Sequence, residues 1–104
     1  MRIAIPLTNP QTALHAGRAA RFALLDIDPT ENTILRREDI DAPPHEPGRV
    51  PHWLAEHGVD VVIAAGLGRN AIQLFTALGI HVVLGEAVDS PEVLVNAYLA
   101  TRSH

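Results

Sequence analysis

Short apolar runs separated by polar turns dominate the first forty residues, and this pattern predicts three β-strands. The first is Ile3–Ile5, which we expect to stop at Pro6. The second and third, Arg21–Ile27 and Thr33–Ile40, flank a turn-forming segment, Asp28–Asn32, and are predicted to pair as an antiparallel hairpin. The many charges of the third strand indicate an edge of the sheet, where charge discourages unwanted pairing.

The second half of the chain contains one helix–strand unit twice. Leu54–Val62 and Phe75–Val83 each consist of a helix end, a glycine and an apolar strand. The glycines, Gly58 and Gly79, are predicted to take the left-handed conformation that ends many helices. Nearly continuous apolar strands of this kind are typical of parallel strands that are buried on both faces.

Three helices are predicted, the first two from apolar stripes at helical spacing over Val50–His57 and Ala71–Leu78. For the third, Ser90 is a natural N-cap and Pro91 suits the first helical position. Its inner face is predicted to comprise Val93, Leu94, Ala97 and Tyr98. Residues 41–49, with three prolines and a glycine, are predicted to form an irregular, mobile connector.

The element order is therefore β-β-β-α-β-α-β-α. The right-handed crossover rule places the fourth strand beside the first, which gives the sheet order 3-2-1-4-5. We predict an α/β protein with a ribonuclease-H-like three-layer fold, a five-stranded mixed sheet and three helices. The length of 104 residues fits a single domain over 1–104.

Composition narrows the chemistry that this fold can support. The chain has no cysteine, and all eight basic residues are arginine, so disulfides, thiolate zinc sites and cysteinyl iron–sulfur ligation are excluded. The net charge of −4 disfavours a nucleic-acid partner. No signal peptide opens the chain and no apolar run has transmembrane length, so we expect a soluble cytoplasmic protein without a membrane partner.

Signatures of catalysis are also missing. There is no Walker loop and no Gly-x-Ser-x-Gly elbow. Nucleases with this sheet order need clustered carboxylates for two-metal chemistry, including one on the first strand, and Ile3–Ile5 has none. Asp26 and Asp60 both lie on predicted strands without an evident partner. The sequence therefore predicts a protein that is not an enzyme.

Two loops are predicted to meet where the winding of the sheet reverses, which is where open α/β sheets bind ligands. They span residues 8–19 and 65–70, and the second leads into a helix. Arginines and a helix N-terminus favour an anion, and an imidazole can ligate a metal. Taken singly, the glycines fit a tight turn and the histidine fits a surface position. Together, the predicted cofactor-binding residues are His15, Gly17, Arg18, Gly66, Gly68, Arg69 and Asn70, with His15 as the metal ligand.

Four blocks of the chain resemble the dinitrogenase iron–molybdenum cofactor biosynthesis (binding) family. They are Met1–Pro6, His15–Ala19 with Phe22, Trp53–Ile63 and Gly66–Ala71. The resemblance implies a ribonuclease-H-like fold without nuclease activity. It also implies a carrier of an anionic iron–molybdenum–sulfur cluster or its precursor, with cofactor-assembly or nitrogenase proteins as partners. His15 matches the histidine of the family's His-Phe-Gly-Arg motif, a cluster ligand, although Ala16 stands where phenylalanine is usual.

Two other functions stay open at this point. One is a regulatory domain that binds a nucleotide or phosphometabolite through Gly66–Asn70. The other is a small hydrolase with a histidine-ligated divalent metal, which is disfavoured because no carboxylate is placed as a base.

Overall fold

The computed structural model describes residues 1–8, 11–12, 21–44, 48–64, 67–84 and 90–102. Its elements are β1 (Arg2–Thr8), β2 (Gln11–Thr12), β3 (Arg21–Asp28), β4 (Thr33–Asp41), α1 (Arg49–Glu56), β5 (Val61–Ala64), α2 (Arg69–Ala77), β6 (His81–Leu84) and α3 (Pro91–Arg102). The main sheet has the order β4-β3-β1-β5-β6. This is the predicted order, and the α/β fold class is confirmed.

Strand directions define two edges of the sheet. β3 is antiparallel to β1 and β4, whereas β5 is parallel to β1 and β6 is parallel to β5. The carboxyl ends of β1, β4, β5 and β6 therefore lie along one edge, which we name the carboxyl edge. The opposite edge, at which β1 and β5 begin, is the amino edge. Because α2 follows β5, α3 follows β6 and α1 leads back to the start of β5, all three helices begin towards the carboxyl edge.

The first strand is longer than predicted. β1 continues through Pro6, which pairs with Phe22 of β3. On its other side β1 pairs with β5 at Ile3 and Ala4, before Pro6 is reached. Pro6 has no backbone N–H to donate. This is tolerated where no strand is paired on that side to accept a hydrogen bond. The short strand β2, which the sequence did not predict, pairs with the end of β1.

Two apolar cores lie on opposite faces of the sheet, so the protein has three layers. α1 and α2 cover the first core, made of Ala4, Phe22, Leu24, Val50, Leu54, Val59, Val62, Ala64, Phe75 and Ile80. α3 covers the second, made of Ile3, Ile5, Leu7, Ala23, Leu25, Ile27, Val61, Ile63, Val95 and Leu99. All four residues of β5 are buried, as expected for a parallel strand with helices on both faces.

The predicted inner face of α3 is right only in part, since Leu94 and Tyr98 pack against the second core but Val93 and Ala97 do not. Val95 and Leu99 are buried, whereas Val93 is half exposed and Ala97 is exposed. α3 has apolar side chains on several sides, so helical spacing alone did not select the stripe that meets the sheet. Its predicted N-cap agrees with the structure, since Ser90 Oγ accepts a hydrogen bond from the Val93 N–H at 3.4 Å.

The repeated helix–strand unit ends each helix in the same way. Gly58 and Gly79 have φ of 73° and 81°, the left-handed conformation predicted for them. The Val59 N–H donates to the Leu54 carbonyl at 3.1 Å, and the equivalent bond at the end of α2 is 2.9 Å. This is a Schellman motif, in which the residue after the glycine also packs back on the helix. The motif turns the chain from α1 into β5 and from α2 into β6.

Candidate functional site

The start of α2 is the described part of the predicted site. Gly68 precedes the helix in an extended conformation, with φ −72° and ψ 161°. Its carbonyl accepts the first helical hydrogen bond, from the Ile72 N–H at 3.1 Å. No side chain caps this helix and its first turn contains no acidic residue. The first turn therefore keeps amide donors and partial positive charge available for an anion.

The backbone at this point is accessible. Gly68, Arg69 and Asn70 are all exposed. A Cβ atom built on Gly68 would meet nothing within 4 Å, and its φ is one that any residue can adopt. The fold itself therefore does not require glycine at position 68, and a ligand could approach the peptide closely.

The start of α1 lies beside α2. Gly48 precedes α1 with φ 76°, and a Cβ atom there would come within 3.3 Å of Leu74 Cδ2. α1 begins with Arg49, and it too has neither a side-chain cap nor an acidic residue in its first turn. Two uncapped helices thus begin on the same face of the sheet, each with arginine as its first residue.

The arginines divide into two groups among the six whose side chains the structure describes. Four make ion pairs: Arg2 with Asp26 at 2.8 Å, Arg21 with Asp41 at 3.3 Å, Arg36 with Glu38 at 2.8 Å, and Arg37 with Asp39 and Glu92, each at 2.8 Å. Arg49 and Arg69 have no carboxylate partner within the described ranges. The helix starts therefore carry positive charge that this part of the protein does not neutralise.

The rest of the predicted site lies outside the described residues, namely His15, Gly17, Arg18 and Gly66. The structure consequently brings together Gly68, Arg69 and Asn70 and leaves the placement of the others as a prediction. Within the described ranges, no group of three or more histidine, aspartate or glutamate side chains could hold a metal ion. Metal ligation by His15 accordingly stays a prediction from the sequence.

A polar cluster at the amino edge was missed by sequence reasoning. Arg2 Nε donates to Asp26 Oδ1 at 2.8 Å, and its NH1 donates to the His57 carbonyl at 2.6 Å. The Arg2 backbone N–H donates to Asp60 Oδ2 at 2.9 Å. Arg2 thus binds both Asp26 and Asp60, for which the sequence offered no evident partner. The hydrogen bond that Arg2 donates to Asp26 raises the pKa of the Arg2 guanidinium, which therefore stays charged.

This cluster lines an open groove of about 430 Å³ at the amino edge, together with Met1, Ile27, Leu35 and Gly58. Arg2 joins β1, β3 and the turn between α1 and β5. The imidazole of His57, predicted to lie on the core stripe of α1, is exposed and packs edge-on against Trp53 at 5.1 Å. The polar groups of this edge mainly hold elements of the fold together.

The fold and the helix starts define a class of protein: a small three-layer α/β protein in which two helices begin with arginines that have no carboxylate partner among the described residues. The sequence model of the dinitrogenase iron–molybdenum cofactor family matches residues 1–101, and the chain belongs to that family. No described helix is long and apolar enough to cross a membrane.

Comparisons with single proteins agree with this assignment. An uncharacterized protein of Methanocaldococcus jannaschii, MJ0580, is 32% identical over 87 residues, which cover 79% of this chain and 72% of the relative. The crystal structure of PH0822 is similar with a TM-score of 0.85 and 30% identity, and covers 97% of this chain and 92% of its own. The orange protein of Desulfovibrio gigas shares the fold, with a TM-score of 0.79, 24% identity and coverage of 97% and 88%.

Proposed function

We propose that this protein binds and carries an anionic metal–sulfur cluster, of the iron–molybdenum cofactor or precursor type, at the carboxyl edge. The observation that carries the proposal is Arg69, an exposed arginine without a described carboxylate partner at the uncapped start of α2. Family membership supplies the class of cargo. The protein then acts as a non-catalytic accessory to metallocofactor assembly in the cytoplasm, with cofactor-assembly or nitrogenase proteins as its partners.

The proposed roles follow from the chemistry of each group. His15 coordinates a metal of the cluster through its imidazole, while Gly17 lets the chain approach and Arg18 adds charge. On the second loop, Gly66 and Gly68 expose backbone amides. Arg69 supplies a cation and the Asn70 side chain supplies a hydrogen-bond donor. The proposed site comprises His15, Gly17, Arg18, Gly66, Gly68, Arg69 and Asn70. One imidazole without thiolates suits exchangeable binding, which a carrier needs.

An anaerobic titration with isolated iron–molybdenum cofactor tests the proposal. The wild type, His15→Ala and His81→Ala are compared by retained molybdenum and visible absorption after gel filtration. His81 is an exposed histidine at the amino edge and serves as the matched control. We expect retention by the wild type and by His81→Ala, and loss in His15→Ala. Equal retention by all three proteins would remove His15 from the site.

The same proteins are titrated with a panel of nucleotides by calorimetry. We expect no saturable heat. Saturable nucleotide binding in a protein that retains no cofactor would overturn the carrier proposal in favour of a regulatory domain.

A further inference from the structure

The two outer strands of the sheet, β4 and β6, differ in how they are protected against pairing with another chain. The charged residues of β4 are Arg36, Arg37, Glu38, Asp39 and Asp41. Its register with β3 also shifts between Asp26 and Ile27, which leaves Leu35 outside the regular pairing. Charges and bulges are the devices by which sheets keep an outer strand from pairing. β6 has no register shift and no arginine, lysine, aspartate or glutamate.

The lack of charge around β6 extends to the helix before it. Residues 70–84, which include most of α2 and all of β6, contain no arginine, lysine, aspartate or glutamate, although these make up 19% of the chain. Leu84 is 63% exposed, and Val82 and Val83 are half-buried. Because the chain has a net charge of −4, two copies repel each other. An uncharged surface is therefore where two copies can approach each other most easily.

The hydrogen bonds of β6 show which of its backbone groups face outwards. The His81 N–H donates to the Asp60 carbonyl, next to β5, at 2.9 Å. Since backbone groups alternate in direction along a strand, His81 and Val83 face β5, and the N–H and C=O groups of Val82 and Leu84 point away from it. The side chain of Val82 packs against the first core and that of Val83 against the second. β6 thus has outward backbone groups at two residues and apolar side chains on both faces.

We propose that β6 is a dimer interface, at which two copies of this chain join their sheets by antiparallel pairing about a two-fold axis at Val83. Val82 then lies opposite Leu84 of the second copy, and each of the two such pairs exchanges both N–H···O bonds. Val83 lies opposite Val83 of the second copy. The facing side chains are all apolar, so no like charges are opposed. An axis at Val82 would instead place Leu84 opposite Ile80, which is outside the strand.

The second copy is the partner that these features favour. The outward groups of Val82 and Leu84 complement themselves under a two-fold rotation, and the charge of the chain confines self-association to an uncharged surface. This inference does not depend on the ligand of the carboxyl edge.

Leu84 and Leu35 form a matched pair for a test, because they are 63% and 64% exposed on opposite outer strands. Sedimentation velocity compares the wild type, Leu84→Lys and Leu35→Lys at concentrations up to about 1 mM. Since β6 is short, we expect a weak wild-type dimer with a dissociation constant in the micromolar range. Leu84→Lys places an ammonium group against Val82 of the second copy and should raise that constant about tenfold or more. Leu35→Lys should leave it unchanged, and neither variant should lower the melting temperature of the monomer.

Cysteine substitution tests the register, since the chain has no cysteine of its own. In an antiparallel pair without direct hydrogen bonds the Cα atoms are about 4.5 Å apart, which is within the range that a disulfide bridges. Val83→Cys should therefore give a disulfide-linked dimer on oxidation with copper phenanthroline, seen on a non-reducing gel. Leu35→Cys is the control and should stay largely monomeric. If Leu84→Lys does not fold, this cross-link decides the question.

Several results would overturn the proposal. A wild type that is monomeric at every concentration would show that β6 does not pair with a second copy, whether or not it meets an extended segment of another protein. A dimer that Leu84→Lys leaves intact, or that Leu35→Lys weakens equally, would place the interface elsewhere. A dimer in which Val83→Cys cross-links no faster than Leu35→Cys would exclude the two-fold pairing at Val83.

Discussion

At the amino edge of the sheet Arg2 joins three elements of the fold, whereas at the carboxyl edge Arg49 and Arg69 begin helices without a carboxylate among the described residues. The Arg2 guanidinium donates to Asp26 and to the His57 carbonyl, and the backbone N–H of Arg2 donates to Asp60. The same residue type thus joins elements of the fold at one edge, whereas at the other it has no carboxylate partner among the described residues. This difference indicates which of the described charges hold the fold together.

The third helix sharpens this comparison, because it also begins towards the carboxyl edge but on the opposite face. Ser90 caps α3 and Glu92 lies in its first turn, where a carboxylate is favoured by the helix dipole. Glu92 accepts two hydrogen bonds from Arg37, at 2.9 and 2.8 Å. The start of α3 is therefore satisfied within the protein, whereas the starts of α1 and α2 have no side-chain cap among the described residues.

The largest expected difference between the edges is the loss of stability when Arg2 is replaced. Replacing Arg2 by alanine removes two side-chain hydrogen bonds and leaves Asp26 with only a 3.7 Å contact to Arg36. Since hydrogen bonds to charged groups contribute about 1.5–3 kcal/mol when buried and these are partly exposed, we expect Arg2→Ala to lower the free energy of unfolding by roughly 1–3 kcal/mol. Urea denaturation measures this. Arg21→Ala, an exposed pair at the carboxyl edge, should cost less than about 1 kcal/mol, and equal losses would contradict the distinction between the edges.

The glycines of the two edges should also respond differently. Gly58 has φ 73°, where an L side chain costs about 1–2 kcal/mol, so Gly58→Ala should destabilise the protein by roughly that amount. Gly68 has φ −72° and open space around it, so Gly68→Ala should leave stability nearly unchanged. Thermal unfolding of both variants checks the pair. A loss of stability in Gly68→Ala would show that this glycine serves the turn, whereas unchanged stability with weaker cofactor binding would support close approach of a ligand.

Much of the fold could be predicted because its signals are local. β5 and β6 were predicted from a glycine at the end of a helix and the apolar run that comes after it. Both glycines have the left-handed conformation that was expected. The continuation of β1 through Pro6 could not be predicted, because it depends on which neighbours pair at that position. The inner face of α3 was predicted only in part for a similar reason, since the sheet buries Val95 and Leu99 most deeply in a helix with several apolar sides.

The candidate site was predictable only in part. The sequence pattern of a strand-to-helix turn predicts the position of Gly68, Arg69 and Asn70. In the structure all three are exposed at the start of α2. The absence of a described partner for Arg69 is not a property of its local sequence. It depends on where carboxylates from distant strands lie, as the Arg2–Asp26 pair across 24 residues shows. Charge pairing is therefore the information that the three-dimensional structure adds.

A smaller effect is expected from acid at the satisfied helix start. Hydrogen bonds from Arg37 hold the pKa of the Glu92 carboxyl below its ordinary value of 4.5. Its contribution to stability is therefore complete above about pH 4.5 and is lost as the pH falls through the lower folded-state pKa. Because both side chains are partly exposed, the contribution should be below about 1 kcal/mol. Unfolding measured from pH 7 to pH 3 should show that Glu92→Gln loses less stability on acidification than the wild type. Glu31→Gln, an exposed carboxylate in the β3–β4 turn, should follow the wild type, and identical slopes for Glu92→Gln would contradict the role of the pair.

The smallest and most diagnostic effect concerns Arg69 without ligand. A cation at the positive end of a helix dipole is unfavourable by about 0.3–1 kcal/mol, so Arg69→Gln should raise the free energy of unfolding by a few tenths of a kcal/mol. Gln73→Glu, exposed in the middle of α2, makes the same change in net charge away from the helix end and is the control. Thermal unfolding with and without the metal–sulfur anion tetrathiomolybdate should show that the anion stabilises the wild type and Gln73→Glu more than Arg69→Gln. If Arg69 lowers the stability of the protein without the anion and raises it with the anion, Arg69 is positioned for a ligand. If Arg69→Gln instead lowers the stability without the anion, Arg69 stabilises the fold, as Arg2 does.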